Sequence, residues 1–423
     1  MDANGYYIFL PAIFIYNDLE NLSFVKEMPE QFDRKYFLYP NASGGYMTKY
    51  SPGLAMLELP FFLIAHVSAK VLGLETSGYS APYRLAVGIG SIFYTCLGLW
   101  FLAKVLLRYF NPTPVLFTIA LLLFGTNIFH STLMQSGTTH NHVFLIFALL
   151  LFFIDKWYHS QRAIDFGLAA FFAGYAALIR PTEALVSLIP VGYFLQYWNL
   201  QKFDFKYLLG QTKGVVFALL GFLVCLLPVL LYWKFATGNW VAYTYEQEGF
   251  YFDRPWQIWY GLFGFRKGWF IYTPLLFLAA YGYFLMRKDE RFAALRSALI
   301  WYLPFNLFIV LSWYGWWYGG CFGNRALIPA LALAAFPIAY LFDSPKTMKL
   351  PLLAISGFFV VLNIFQSFQY QQRVMHMDAM TWRSYVYIFG KWKLNDAEKA
   401  HMETLLDHPD YGQRGKKLDE YFK

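Results

Sequence analysis

Charge is what this sequence has least of. Of its 423 residues, only 14% are Asp, Glu, Lys or Arg, where a soluble domain carries about 25%. A soluble chain of this length divides into two or three domains, each needing a polar surface. Too few charges are present to cover such surfaces, so lipid is the expected solvent. Cysteine is scarce as well. Cys96 and Cys225 fall in apolar runs and Cys321 stands alone in a loop. They offer no disulfide framework and no metal-ligand spacing, and they read as small apolar fillers.

What is present is apolar: 58% of residues are hydrophobic and 22% aromatic. The net charge of +8 comes from short basic clusters between apolar runs, such as Arg287, Lys288, Arg291 and Arg296. That placement is a topology signal, and nucleic acid is not an expected partner. Runs of about 17–25 apolar residues cross a hydrocarbon core of about 30 Å as helices. Ten are expected: 83–104, 114–130, 142–156, 164–180, 184–200, 214–233, 269–286, 297–313, 326–342 and 351–367. Unbroken hydrophobicity without alternation favours helices over barrel strands.

If these ten alternate, Lys104 and Arg108, Lys156 and Arg162, Lys202 to Lys213 (with Lys206), Arg287 to Arg296, and Lys346 and Lys349 share one face. That face is expected to be cytoplasmic. The opposite face receives 1–82, 131–141, 181–183, 234–268, 313–325 and the tail from 368. Residues 54–74 are long enough to span. They carry Glu58, Pro60, His66 and Lys70, and the run reads as an interfacial or re-entrant helix. Placing 1–82 outside then calls for a preceding helix absent from this sequence, an eleventh span. The expected organisation is a first extracytoplasmic loop with juxtamembrane helices (1–82), a helical bundle (83–367) and a polar extracytoplasmic tail (368–423) with a helix near 395–407. No internal repeat is evident, which weighs against repeat-built transporters.

Ionisable residues near membrane depth are costly and point to function. On the outer face they are Asp2, Lys49, Arg84, His140, His142, Arg180, Glu183, Lys234, Glu246, Glu248, Asp253, Arg254, Arg266, Lys267 and Arg325. Convergent Arg and Lys suit a phosphate or diphosphate; snorkelling to lipid headgroups explains any single one equally well. Arg180 and Arg325, flush against apolar spans, fit snorkelling less well. Asp2, followed by Gly5, Tyr6 and Tyr7, is a candidate general base or an ordinary helix cap.

The order of motifs resembles the GT-C superfamily of integral-membrane glycosyltransferases, in the bacterial branch related to protein O-mannosyltransferases and lipid A aminoarabinose transferases. Over residues 1–345 the matching segments are Asp2-Ala3-Asn4-Gly5-Tyr6-Tyr7, Lys49-Tyr50-Ser51-Pro52-Gly53, Pro82-Tyr83-Arg84-Leu85, Leu178-Ile179-Arg180-Pro181-Thr182 and Gly319-Gly320-Cys321-Phe322-Gly323-Asn324-Arg325. The resemblance implies an all-α GT-C-like bundle in the cell (inner) membrane, its first loop following a first span and an interfacial helix following the loop. It further implies transfer of a sugar from a polyprenyl-phosphate donor to a lipid, glycan or protein acceptor at the extracytoplasmic face. Asp2 would be the base, and Arg84, Arg180 and Arg325, with Lys49 and Lys267 behind them, would bind the donor phosphate. The sequence departs from that branch at Ala3, where the Asp is paired with Glu; Asp18 or Glu20 are the available substitutes. His140 and His142 have a spacing that can hold a metal, but no third ligand is evident. No cofactor is called for, and a divalent metal stays open. A transporter or flippase for an anionic lipid or solute, and an inactive GT-C-like scaffold, are the alternatives.

Overall fold

The computed structural model describes residues 2–28, 37–41, 44–202, 204, 211–245, 248–345 and 348–409. Lys206, Glu246 and Lys346 lie outside the described residues, as does the end of the tail, 410–423. Most of what is described is helical, with very little strand. Two short helices, α1 (Asp2–Tyr7) and α2 (Phe9–Phe14), lead to an antiparallel strand pair, β1 (Leu38–Pro40) and β2 (Tyr46–Thr48), in which Leu38 faces Thr48. The apolar helices follow: α3 (Gly53–Val71), α4 (Ala81–Leu106), α5 (Pro112–Phe124), α6 (Ile128–Met134), α7 (Thr139–Ser160), α8 (Ala163–Ile179), α9 (Leu188–Leu200) and α10 (Thr212–Thr237). Beyond them come α11 (Trp256–Phe263), α12 (Trp269–Tyr272), α13 (Leu275–Met286), α14 (Ala293–Leu311), α15 (Leu331–Asp343) and α16 (Lys349–Gln371). The tail adds α17 (Trp382–Ile388) and α18 (Asp396–Glu403).

Breaks follow from local chemistry. Pro181 disfavours a helical Arg180, which turns to extended backbone and ends α8. Pro112 opens α5 at a position where its missing N–H costs nothing. Gly238 ends α10 with φ +75°, a conformation glycine takes without a Cβ clash.

Among the described residues, six helices are long and apolar enough to cross a membrane: α3, α4, α7, α10, the Glu290–Leu311 stretch containing α14, and α16. The pair α5 and α6 passes the same test together but is bent by 55°. Helices α8, α13 and α15 are apolar but shorter. Of the ten expected spans, 83–104, 142–156, 214–233, 297–313 and 351–367 are therefore continuous long helices. The run 114–130 is the bent pair, and 184–200 begins as a 3-10 turn over Pro181–Ser187 before α9. The stretch expected to be interfacial, 54–74, forms a continuous run of 19 helical residues, Gly53–Val71, that passes the same length and composition test as the other five. Only 17% of the most apolar part of α10 is buried; its exposed Leu219, Leu223, Leu227 and Leu231 need lipid against them. The chain is an all-α membrane protein.

The chain divides into two compact units, Met1–Phe101 with Ser136–Glu246, and Leu102–Gln135 with Gln247–Lys423. In unit one, α8 packs along both α7 and α10. Gly167 and Gly174 leave room for Phe217 and Phe222, and Gly221 for the backbone of α8, the close approach that small residues permit between membrane helices. The first loop forms its own core in this unit: Tyr6, Phe9, Phe37 and Tyr50 pack with Phe62 of α3 and Tyr232 of α10. In unit two, α15 packs on α13 and α5, and α16 on α5 and α6. Its tail is well built. Met375, Met380, Ile388 and Met402 pack with Tyr272 and Phe322, and reciprocal capping boxes start α17 (Thr381 with Ser384) and α18 (Asn395 with Glu398).

Candidate functional site

Three of the five motifs meet in unit one, and glycine makes the meeting possible. A Cβ on Gly5 would sit 2.5 Å from the Tyr50 ring, so only glycine lets that ring lie on α1. There Tyr50 stacks on Tyr6, with centroids 4.0 Å apart, and its hydroxyl donates to Oδ1 of Asp2 at 3.1 Å. The next residue, Ser51, donates its hydroxyl to the Leu178 carbonyl and approaches that of Ile179 at 3.2 Å. Gly53 abuts the same turn, where a Cβ would meet the Ile179 nitrogen at 2.9 Å, and its carbonyl accepts from Tyr175 at 3.1 Å. Residues 49–53 thus bridge from Asp2 to the end of α8, where Arg180 begins the next turn.

The cations of this region are held in the protein. Lys49 is 6% exposed, and its ammonium lies 5.5 Å from the Tyr50 ring and 5.3 Å from that of Tyr245. Arg180 donates to Oε1 of buried Glu183 at 3.1 Å and meets Nδ1 of His140 at 3.3 Å. Because the guanidinium can only donate, that contact requires Nδ1 of His140 to be unprotonated. Burial raises the Glu183 pKa above the usual carboxylate range, with Arg180 acting against it.

The first turn of α7 braces this arrangement. Three consecutive side chains reach three different helices: His140 to Arg180 at the end of α8, Asn141 to Ser91 of α4 at 3.0 Å, and His142 to Glu58 of α3 at 2.6 Å. Glu58 and His142 are 2% and 0% exposed. A Cβ at Gly90 would lie 3.0 Å from Oε2 of Glu58, so glycine at 90 makes space for the carboxylate. The two histidines of the His-x-His spacing therefore serve separate partners. Among the described residues, no group of three or more His, Cys, Asp or Glu could hold a metal ion.

Arg84 is exposed on the first turn of α4, after Tyr83, whose hydroxyl meets Nδ1 of His66 at 2.6 Å. Asp18 organises the first loop: its carboxylate accepts from the backbone N–H groups of Asn21 and Ser23 at 3.2 and 2.5 Å and from the Ser23 hydroxyl. Partial burial works against the charged form, but these hydrogen bonds prevail and lower its pKa. The exposed Glu20 contributes its backbone carbonyl, which accepts from Asn41 at 2.5 Å. Ala3, where the resemblance expects a second acid, faces Gly137, on which a Cβ would come within 2.7 Å of the Ala3 methyl. Lys234 donates to the Gly238 carbonyl at 2.6 Å, closing the end of α10.

Lys267 and Arg325 belong to unit two. Lys267 is 2% exposed. Its ammonium donates to the Cys321 carbonyl and lies 5.3 Å from the Tyr370 ring. Burial lowers its pKa; Cys321 and Asp378 act against that, while Arg325 and Arg266 add to it. The loop carrying Arg325 turns on Gly319 and Gly323, at φ +63° and +64°. Asn127 secures it by donating to the carbonyls of Phe322 and Asn324 at 3.4 and 3.3 Å, as does Gln135 to Gly320 at 3.0 Å. Arg266 clasps the tail, donating to the Asp378 carbonyl at 2.9 Å and to Oδ2 of Asp407 at 2.6 Å.

Reading the sequence missed Glu58 as the partner of His142. Its signal was a carboxylate within an apolar run, which alone names no partner. Comparison of the chain with protein-family models, with curated proteins and with solved structures gives no match.

Proposed function

We propose that this protein is a membrane-embedded glycosyltransferase that moves a sugar from a polyprenyl-phosphate donor to an acceptor at the extracytoplasmic face. The observation that carries the reading is the bridge of residues 49–53, which connects Asp2, through Tyr50, to the turn bearing Arg180. In the proposed step, Asp2 takes the proton of an acceptor hydroxyl as that oxygen bonds to the anomeric carbon. The bond from that carbon to the phosphate oxygen breaks, and its electron pair leaves with the polyprenyl phosphate. A phosphate monoester is stable as an anion, so no general acid is required. Arg180 and Lys49 would bind the phosphate as its charge grows, with Arg84 as a further candidate from the motif pattern. Tyr50 would hold the Asp2 carboxylate in position, and His140 the Arg180 guanidinium.

The test is Asp2→Asn in membranes supplied with polyprenyl-phosphate mannose or polyprenyl-phosphate aminoarabinose. Transfer should fall by about 10²–10⁴-fold, the usual worth of a general base, with expression and melting unchanged. Wild-type transfer by a well-folded variant would overturn the assignment. A second reading, a transporter, draws on one observation: Glu58 and His142 form a buried ionisable pair within two long apolar helices, a setting in which proton-coupled carriers keep such groups. Under that reading, Glu58→Gln abolishes flux of an anionic lipid across proteoliposomes and Asp2→Asn does not.

A further inference from the structure

Among the described residues, the tail of unit two presents an exposed apolar surface. Helix α17 and the turn after it bury Ser384 and Ile388, yet Trp382, Val386, Phe389 and Trp392 are 50–61% exposed. These four are not scattered. They follow α16, a candidate membrane span, and the chain folds straight back onto the end of that helix. Gln366 donates to the Tyr385 hydroxyl at 2.6 Å, and Gln369 to the carbonyls of Ile388 and Lys391 at 2.8 Å each. Trp392 packs on Phe365 and Phe368, with ring centroids 4.6 and 5.3 Å away.

Those two phenylalanines fix the depth of Trp392. Phe368 stands one turn before the end of α16 at Gln371. An indole resting on Phe365 and Phe368 therefore lies level with the last two turns of the span. Its exposed face continues the exposed apolar stripe of α16 formed by Phe358, Val361 and Phe368. Cationic side chains border the patch: Arg383 and Lys393 are exposed, and Lys391 reaches Glu398 at 2.8 Å. Tryptophan beside Lys and Arg, at the end of a span, is the composition that the boundary between acyl chains and headgroups selects, with the long cationic stems reaching toward water.

We infer that residues 382–393 form a membrane-interface anchor, its two tryptophans, Val386 and Phe389 seated at the acyl–headgroup boundary beside the end of α16. The occupant of this surface is phospholipid, because the patch is continuous with a helix face that lipid must already cover. The tail is thus a monotopic element attached to a polytopic one, and α18, beyond it, stays in water.

The experiment places single cysteines at Val386, Phe389 and Trp392, with Ala397→Cys and Ala400→Cys on α18 as references, in a Cys96→Ser full-length chain reconstituted in phospholipid nanodiscs. Cys96 is exposed, whereas Cys225 and Cys321 are buried. Labelling by a membrane-impermeant maleimide should be lost at the three patch positions and retained at both references. Bimane attached to the Trp392→Cys or Val386→Cys variant before reconstitution should be quenched by brominated phospholipid. Labelling at the patch as fast as on α18 overturns the inference. So does protection without quenching, which would mean that protein and not lipid covers the surface.

Discussion

The two units put their cations to different uses. In unit one, Arg180 has a carboxylate on one side and a histidine nitrogen on the other, and Lys49 lies beside the ring of Tyr50, whose hydroxyl holds Asp2 in place. The charges are positioned by side chains, and an acid stands near them. In unit two, the ammonium of Lys267 is directed at a backbone carbonyl and ties down a glycine-rich loop, while Arg266 is spent on the tail. The difference teaches that a buried cation is a poor guide to chemistry until its partners are known: one arrangement suits a ligand, and the other suits a fold.

The largest effect expected from this contrast is at Arg180. Arg180→Ala leaves Glu183 buried without its counter-charge, a loss of about 3–5 kcal/mol, read as a lowered melting temperature together with lost transfer. The double change Arg180→Ala with Glu183→Ala should recover much of the stability and none of the activity. Lys267→Met is the matched change in unit two: it should cost about 1–2 kcal/mol through the orphaned Cys321 carbonyl, leaving the transfer rate per folded molecule unchanged. Equal losses of activity at both positions would erase the distinction between the units.

Next in size is Gly53→Ala. The added methyl must push into the Ile179 backbone, at a cost of about 1–3 kcal/mol, and it should separate Ser51 from the end of α8. Transfer should fall further than stability does; a fall in both by the same proportion would mean that the bridge only holds the fold.

The smallest effect is an order of events on acidification. His376, in the tail, accepts from the N–H groups of Asp378 and Ala379 through Nδ1, at 3.3 and 3.1 Å, which needs the neutral ring. Burial lowers its pKa below 6.5; Asp378 opposes the shift, and the neighbouring His408 adds to it. Its stabilising contribution is therefore complete above pH 6.5 and disappears as pH falls through the lowered value. Asp18 also has a lowered pKa, from an ordinary value of 3.8, so its contribution persists to lower pH and disappears only below that. Hydrogen exchange followed from pH 7 to pH 3 should show protection falling in 374–381 before 18–25. His376→Gln should remove the first step alone, and simultaneous loss would contradict the assignment.

Much of the fold was legible because lipid imposes a simple rule. Apolar runs had to become helices, and nearly all did, within a few residues. The breaks were less legible. The bend after Gly125 lies inside the expected run 114–130, and the 3-10 turn over Pro181–Ser187 reaches four residues into the expected run 184–200, so the apolar runs alone did not locate either. Residues 54–74 show a further limit: the run is long and apolar enough to span, and the histidine that meets its Glu58 lies far along the chain, so the run by itself does not reveal how that carboxylate is accommodated. At the site, the spacing of Asp2 to Gly5 and of Lys49 to Gly53 carried the information, since each glycine marks a place where another segment presses close. The role of Lys267 was hidden for a different reason. Its partner is a carbonyl, and every residue has one.

The bridge between Asp2 and Arg180 also imposes a schedule on biosynthesis. Ser51 bonds to the carbonyls of Leu178 and Ile179, groups that do not exist until translation has passed them. Asp2 must therefore wait, already made and already outside the ribosome, while α4 through α8 are synthesised and inserted. A nascent chain halted before residue 178 carries the acid, the tyrosine and the lysine, yet lacks the surface that brings them into register.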